Sequence, residues 1–430
     1  MRILSRLCFA SPTEVNLPLS KSEGIRALIS LYLLRRGRGQ TAMPLRDEVI
    51  PEDAPEDLLI LYDGLQVLLS VSGSEIRLSA SASVARFLVA LAAAEGRRVS
   101  FRLTDNQLLR RPMRPLEDYL HGLGVSVERN DEQWVVDSSC LSVPRETIAD
   151  ARAWESSQFV SAIIYFSVAG NYPLVIHRQY SAPSSRYIAL TIEYLRQIGV
   201  DLTWQADWIR FKPREQSDLT GLKTYVFHLP ADYTSASYWL ELQTLHPEIH
   251  KLVLRGIDSD SFHPDTRLLS FYNPFLEFIS ADDALTSSRR PVSGGVRPLS
   301  LDLSQNPDLF PTLFATVIGL GMETTFTGLS SLAYKESDRL GASLSIAQDL
   351  GWSADAFINV TPNGFTYTGV PRETEPEHVT LNHRGDHRLA MAFAVLATTL
   401  EETQVEIPDD KAVTSRSYPH FFTDLCRQAR

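Results

Sequence analysis

Residues 339–367 read RLGASLSIAQDLGWSADAFINVTPNGFTY, and the hydrophobic period changes once along the way. An amphipathic helix runs from Arg339 and Leu340 to Gly351, where a glycine able to adopt a left-handed conformation stops it. Beyond it, Phe357-Ile358-Asn359-Val360 and Phe365-Thr366-Tyr367 alternate with period two around the turn Pro362-Asn363-Gly364, the pattern of a hairpin. The same succession occurs twice upstream. One copy runs from Pro115 to Gly124, then Val125-Ser126-Val127-Glu128 and Gln133-Trp134-Val135-Val136. The other runs from Tyr187 to Gly199, then Asp201-Leu202-Thr203-Trp204 and Trp208-Ile209-Arg210-Phe211. The chain is therefore read as a repeated α/β unit. The polar stretch Asp218–Lys223 and the Pro/Gly/Ser-rich stretch Arg289–Arg297 read as connectors.

Directly before the 339–367 unit stands Lys335-Glu336-Ser337-Asp338-Arg339-Leu340, and further on comes Asp386-His387-Arg388-Leu389-Ala390-Met391. Both place cations at the head of a predicted helix. That end already carries about half a positive charge, so a cation there is disfavoured by about 0.3–1 kcal/mol unless an anion sits against it. Three more helix starts repeat the theme: Ser20-Lys21-Ser22 with Arg26 one turn in, Ala80-Ser81-Ala82-Ser83 with Arg86 beyond, and Ser156-Ser157-Gln158. Five such corners point to a multiply anionic ligand.

Composition narrows the class. The 430 residues are long enough for two domains, and 44% hydrophobic content can fill their cores. A net charge of −11 argues against a nucleic-acid surface, which wants a broad basic face. Cys8, Cys140 and Cys426 form no C-x-x-C pair, and no histidines cluster at metal spacing, so neither a disulfide framework nor a metal site is expected. A cytoplasmic location fits this use of cysteine. The apolar run at the N-terminus is too short for a signal segment, and Ile3, Ser5 and Leu7 alternate as a strand that would contain Cys8. No charge-free apolar run is long enough to cross a membrane.

With these motifs in order, the chain resembles the 5-enolpyruvylshikimate-3-phosphate (EPSP) synthase family over essentially its full length. The most specific pieces are Lys335–Leu340 and Asp386–Met391, supported by Ser156-Ser157-Gln158-Phe159, Arg111-Pro112-Met113 and Ser235-Ala236-Ser237-Tyr238 after Asp232. The resemblance implies a two-domain enolpyruvyl transferase fold. Each domain would hold three βαβαββ units with pseudo-threefold symmetry, an inside-out α/β barrel. Residues 1–19 and 230–430 would make one domain and 20–229 the other, with the active site in the cleft between them. The implied reaction moves the enolpyruvyl group of phosphoenolpyruvate to the 5-hydroxyl of shikimate 3-phosphate and releases phosphate. The implied partners are these two small molecules, acted on by a monomer without a metal or organic cofactor.

Carried over by position, the resemblance places Lys21, Arg86, Arg339, Arg388 and Arg416 around phosphoenolpyruvate, with Gln158 near both substrates. Guanidinium forks suit carboxylate and phosphate. Ser22, Arg26, Ser156, Ser157, Ser184, Tyr187 and Lys335 would hold shikimate 3-phosphate. Lys21, Asp308 and Glu336 would carry the proton transfers. Departures fall at the same places. The family's Asn-Ala-Gly-Thr appears as Ala80-Ser81-Ala82-Ser83, so Ala82 brings a methyl to the phosphoenolpyruvate corner, with reduced sensitivity to glyphosate as the expected consequence. Ser331 replaces Asn, and Arg416 replaces Lys. The alternatives are the sister enzyme acting on UDP-N-acetylglucosamine, which needs a reactive loop cysteine, and an impaired paralogue that only binds anions.

Overall fold

The computed structural model describes residues 2–70, 73, 75–179, 184–213, 229–257, 261–281, 283–290 and 298–429. Asp218–Lys223 and residues 291–297 of the second connector lie outside the described residues. By contacts the chain divides into two units, one of Met1–Ser20, Asp53–Pro55 and Pro230–Arg430, the other of Lys21–Glu52 and Glu56–Leu229.

In the Lys21–Leu229 unit, two four-stranded sheets share one plan. The first orders its strands Glu75–Leu78, Arg98–Leu103, Gln133–Asp137 and Ser126–Arg129. Its first pair is parallel, Glu75 opposite Ser100, and the other two pairs are antiparallel. The helices Ala82–Ala93 and Arg114–His121 make the crossovers, giving βαβαββ. The second sheet repeats this with Thr147–Asp150, Leu174–His177, Trp208–Phe211 and Leu202–Trp204.

The other unit holds the same plan in Leu299–Asp302, Thr324–Thr327, Gly364–Tyr367 and Phe357–Thr361. A further copy borrows its first strand from the N-terminus: Thr13–Asn16 pairs in parallel with Lys251–Arg255. A three-stranded sheet, Arg2–Leu4, Gln404–Ile407 and His378–Thr380, again has one parallel and one antiparallel pair.

The helices Tyr233–Leu245, Phe310–Leu320 and His387–Ala397 pack on one another, and every residue of the last is buried. A helix apolar on all sides belongs inside. The sheets lie outside them, as the alternating burial of Thr13–Asn16 in the same unit shows. The arrangement is the inside-out α/β barrel expected. All three helix stops fall in the left-handed region, with Gly124, Gly199 and Gly351 at φ +83°, +77° and +105°. A Cβ on Gly351 would lie 2.0 Å from the Thr374 carbonyl oxygen, so only glycine closes that helix. One expectation needs correction: the N-terminal strand ends at Leu4 and does not contain Cys8. The chain turns away because the Leu7 N–H donates to the Thr398 carbonyl at the end of an inner helix rather than to a strand.

Candidate active site

In the unit containing the C-terminus, the two cationic motifs converge on carboxylates. Asp386 caps the helix His387–Ala397, accepting from the Arg388 N–H at 3.0 Å. Its other oxygen accepts from Arg339 Nε at 2.7 Å. Arg339 Nη1 reaches Asp308 Oδ1 at 2.6 Å, and Nη2 donates to Glu336. Asp308 also receives Lys335 Nζ at 3.0 Å on Oδ1 and Arg388 Nη2 at 3.2 Å on Oδ2. Lys335, Arg339 and Arg388 thus face Asp308, Glu336 and Asp386, three charges of each sign. The cost of cations at helix starts is met here by carboxylates of the chain itself.

This packing sets the charge states. Burial by itself would raise the Asp308 carboxyl, but Arg388, Lys335 and Arg339 outweigh it and hold Asp308 well below the usual carboxylate range. Burial lowers the Lys335 ammonium, with Asp308 opposing. Burial would lower the Arg339 guanidinium too, yet Asp386, Glu336 and Asp308 together raise it. Ser331 sits in the turn Ser330–Tyr334 with its hydroxyl oxygen buried and unpartnered among the described residues. Arg416 is half-buried, just past the short helix Asp410–Thr414.

The other unit gathers a second group. Arg26 is buried and donates to Thr191 Oγ1, to the Ser22 carbonyl and to the Tyr187 carbonyl at 3.0, 2.7 and 3.0 Å. It thereby ties the helix Lys21–Gly37 to Ser185–Gln197, whose cap Ser184 adopts φ +57°. Ser156 caps Ser157–Gly170 by accepting from the Gln158 N–H. The Gln158 side chain accepts from Arg86 Nη1 at 2.5 Å. Arg86 spends Nε and Nη2 on the Pro112 carbonyl, and its guanidinium lies 4.3 Å from the Phe159 ring centre. Arg86, on a helix buried at every residue but Ser83, thus braces Gln158 and the Arg111-Pro112-Met113 run. Ala82 is the first residue of that helix and is also buried.

Lys21 opens its helix and pairs with Asp57, Nζ to Oδ2 3.2 Å. Asp57 escapes sequence reading: with Glu56 it looks like the ordinary acidic first turn that a helix dipole favours. Asp386, legible only as a cap, is equally the anchor of Arg339. Among the described residues no His, Cys, Asp or Glu group is arranged to hold a metal ion, and no helix is long and apolar enough to cross a membrane.

Repeated βαβαββ units bearing buried guanidinium and ammonium groups at helix starts match solved structures along their whole length. EPSP synthase from Acinetobacter baumannii superposes with a TM-score of 0.66 at 16% identity, covering 99% of this chain and 97% of that one. The enolpyruvyl transferase NikO from Streptomyces tendae gives 0.66 at 13%, covering 100% and 97%. At such identities the likeness establishes the fold, which is that of the enolpyruvyl transferases. The chain belongs to the EPSP synthase (3-phosphoshikimate 1-carboxyvinyltransferase) family, whose sequence model matches residues 50–425. Relatives named 3-phosphoshikimate 1-carboxyvinyltransferase include one from Bacteroides fragilis, 27% identical over 435 residues and covering 98% of this chain and 97% of that relative. Another, from Dehalococcoides mccartyi, is 26% identical over 438 residues, covering 96% and 94%.

Proposed function

We propose that this chain transfers the enolpyruvyl group of phosphoenolpyruvate to the 5-hydroxyl of shikimate 3-phosphate and releases phosphate. Family membership across residues 50–425 carries the reading. The buried cluster around Asp308 supplies chemistry that suits it. Attack on the substrate needs a proton added to the methylene carbon of phosphoenolpyruvate and a proton taken from the 5-hydroxyl. Collapse then returns the methylene proton as the C–O bond to phosphate breaks. We assign these transfers to Lys21, Asp308 and Glu336.

Asp308 is ionised, as a base must be, but three cations make it a weak one. Arrival of an anionic substrate would draw Arg339, Arg388 and Lys335 partly onto its oxygens and restore basicity to Asp308 when the hydroxyl is in place. Arg416 and Lys335 would add charge toward the phosphates, and Ser22, Ser156, Ser157, Ser184, Tyr187 and Gln158 would orient the sugar-like ring by hydrogen bonds. The three cysteines are unpaired, in keeping with a reducing cytoplasm, and none lies in a glycine-rich loop, which disfavours the UDP-amino-sugar reaction. We take the working form to be a monomer.

The test is phosphate release by purified protein given phosphoenolpyruvate with shikimate 3-phosphate, beside phosphoenolpyruvate with UDP-N-acetylglucosamine. Release with the first pair only supports the reading. Release with the second pair, or silence with both from folded protein, overturns it.

A further inference from the structure

We propose that Asp57 is a positioning residue that fixes the Lys21 ammonium and couples it, through Ser81, to the first turn of the helix Ala82–Ala93. The inference rests on the role given to Lys21 above. Asp57 lies in the first turn of the helix Glu56–Leu69, and its side chain is 1% exposed. One oxygen, Oδ2, serves two donors: Lys21 Nζ at 3.2 Å and Ser81 Oγ at 2.7 Å. The other, Oδ1, is buried and has no partner among the described residues. From Ser81 the chain of polar atoms continues to Ser83 Oγ at 3.3 Å.

Two features separate this arrangement from ordinary packing. A buried carboxylate with one oxygen unsatisfied is costly, so a fold selected only for stability would gain by an apolar replacement. Ser81 also stands at the cap position of its helix, where a serine normally accepts from a backbone N–H two or three residues on. It makes no such bond. Its hydroxyl is turned to Asp57 instead, so the cap is given up for the link.

The physical consequence concerns Lys21. An ammonium on a flexible four-carbon stem samples many rotamers unless a partner holds it. Placed at the first residue of its helix, it is also repelled by the helix dipole, which the Asp57 charge offsets. Proton transfer to a carbon needs the donor within a narrow range of positions, so holding Lys21 matters more for turnover than for binding.

The experiment compares the full chain with Asp57→Asn, Ser81→Ala, Lys21→Met and the Asp57→Asn/Lys21→Met double variant. It reads kcat, KM for both substrates, and the rate at which an amine-selective acylating reagent modifies Lys21, followed by peptide mass spectrometry. Asp57→Asn should lower kcat about a hundredfold, the scale of an ångström-sized misplacement, with a smaller change in either KM. It should cost little further once Lys21 is Met, because coupled residues are not additive. Acylation of Lys21 should speed up in Asp57→Asn and, to a lesser degree, in Ser81→Ala. Equal losses from Asp57→Asn in both backgrounds, or an unchanged kcat, would overturn the proposal. If Asp57→Asn fails to fold, unchanged Lys21 acylation in Ser81→Ala does the same. Full turnover by Lys21→Met would instead overturn the role of Lys21 in the proposed reaction, while the acylation rates still decide whether Asp57 holds it.

Discussion

Arg339 Nε lies 2.7 Å from Asp386 Oδ2, and both side chains are out of reach of solvent. Asp386 is at once the cap of the inner helix His387–Ala397 and the counter-charge for a guanidinium that also grips Asp308 and Glu336. Removing one partner of a buried pair leaves the other as an uncompensated charge, which typically costs about 3–5 kcal/mol. Asp386→Ala should therefore destabilise by that order in urea unfolding. Asp338→Ala is the comparison: it removes a cap bond to the Gly341 N–H on the partly solvated start of Arg339–Asp349 and should cost about 1 kcal/mol. Equal losses would mean that Asp386 acts as a cap alone.

Asp308 carries a pH signature. Its carboxyl is held well below the usual range because Arg388, Lys335 and Arg339 outweigh the effect of burial. A depressed carboxyl contributes stability above its unfolded value, near about 3.9, and loses it as pH falls through the folded value. Asp308→Asn should thus be less stable than the parent at neutral pH, with the gap closing in acid. Turnover should fall about a hundredfold to ten-thousandfold if Asp308 accepts the hydroxyl proton. Denaturant titrations at several pH values check the first effect, and kcat of the variant checks the second.

Much of this architecture is local, and local features are legible. Gly124, Gly199 and Gly351 each stop a helix and precede a hairpin, and chain order alone displays them. The pairing of Thr13–Asn16 with Lys251–Arg255 is different, since no periodicity announces a partner more than two hundred residues away. The site divides the same way. Lys335, Arg339 and Arg388 show themselves as misplaced charges at helix starts, whereas their counter-charges come together only in space. Asp57 is hidden because an acid in a first helical turn needs no explanation. Arg86, like Arg388, shows itself as a cation at a helix start, while its hold on Pro112 and Gln158 appears only in space, because those partners lie far along the chain.

Ala82 offers a test of the proposed substrate corner. It is buried at the first position of its helix, and its methyl occupies space that glycine would leave open. In a glyphosate dose series the parent should need more inhibitor than Ala82→Gly for the same loss of turnover. The substitution should cost no more than about 1 kcal/mol of stability, the usual difference between the two residues in a helix. Identical inhibition curves would show that the methyl does not face the inhibitor.

Glu241 makes the sharpest prediction outside the site. It lies within the inner helix Tyr233–Leu245, fully buried, with both carboxyl oxygens unpartnered among the described residues. Burial pushes its carboxyl well above the usual glutamate range. In the unfolded chain a glutamate ionises near about 4.3, whereas here it stays protonated. Unfolding therefore releases a proton, and each pH unit above that value costs the native state about 1.4 kcal/mol until the folded carboxyl ionises as well. The contribution is whole in acid and is lost as pH rises, opposite in sense to Asp308. Glu241→Met, similar in length and apolar, removes the ionisation while keeping most of the volume. Near about pH 4 the two proteins should differ only by packing, and the variant should pull ahead at about pH 7 to 9. Urea unfolding of both proteins across that range is the check. A difference that stays constant with pH would mean that Glu241 carries the same charge folded and unfolded, and would overturn the prediction.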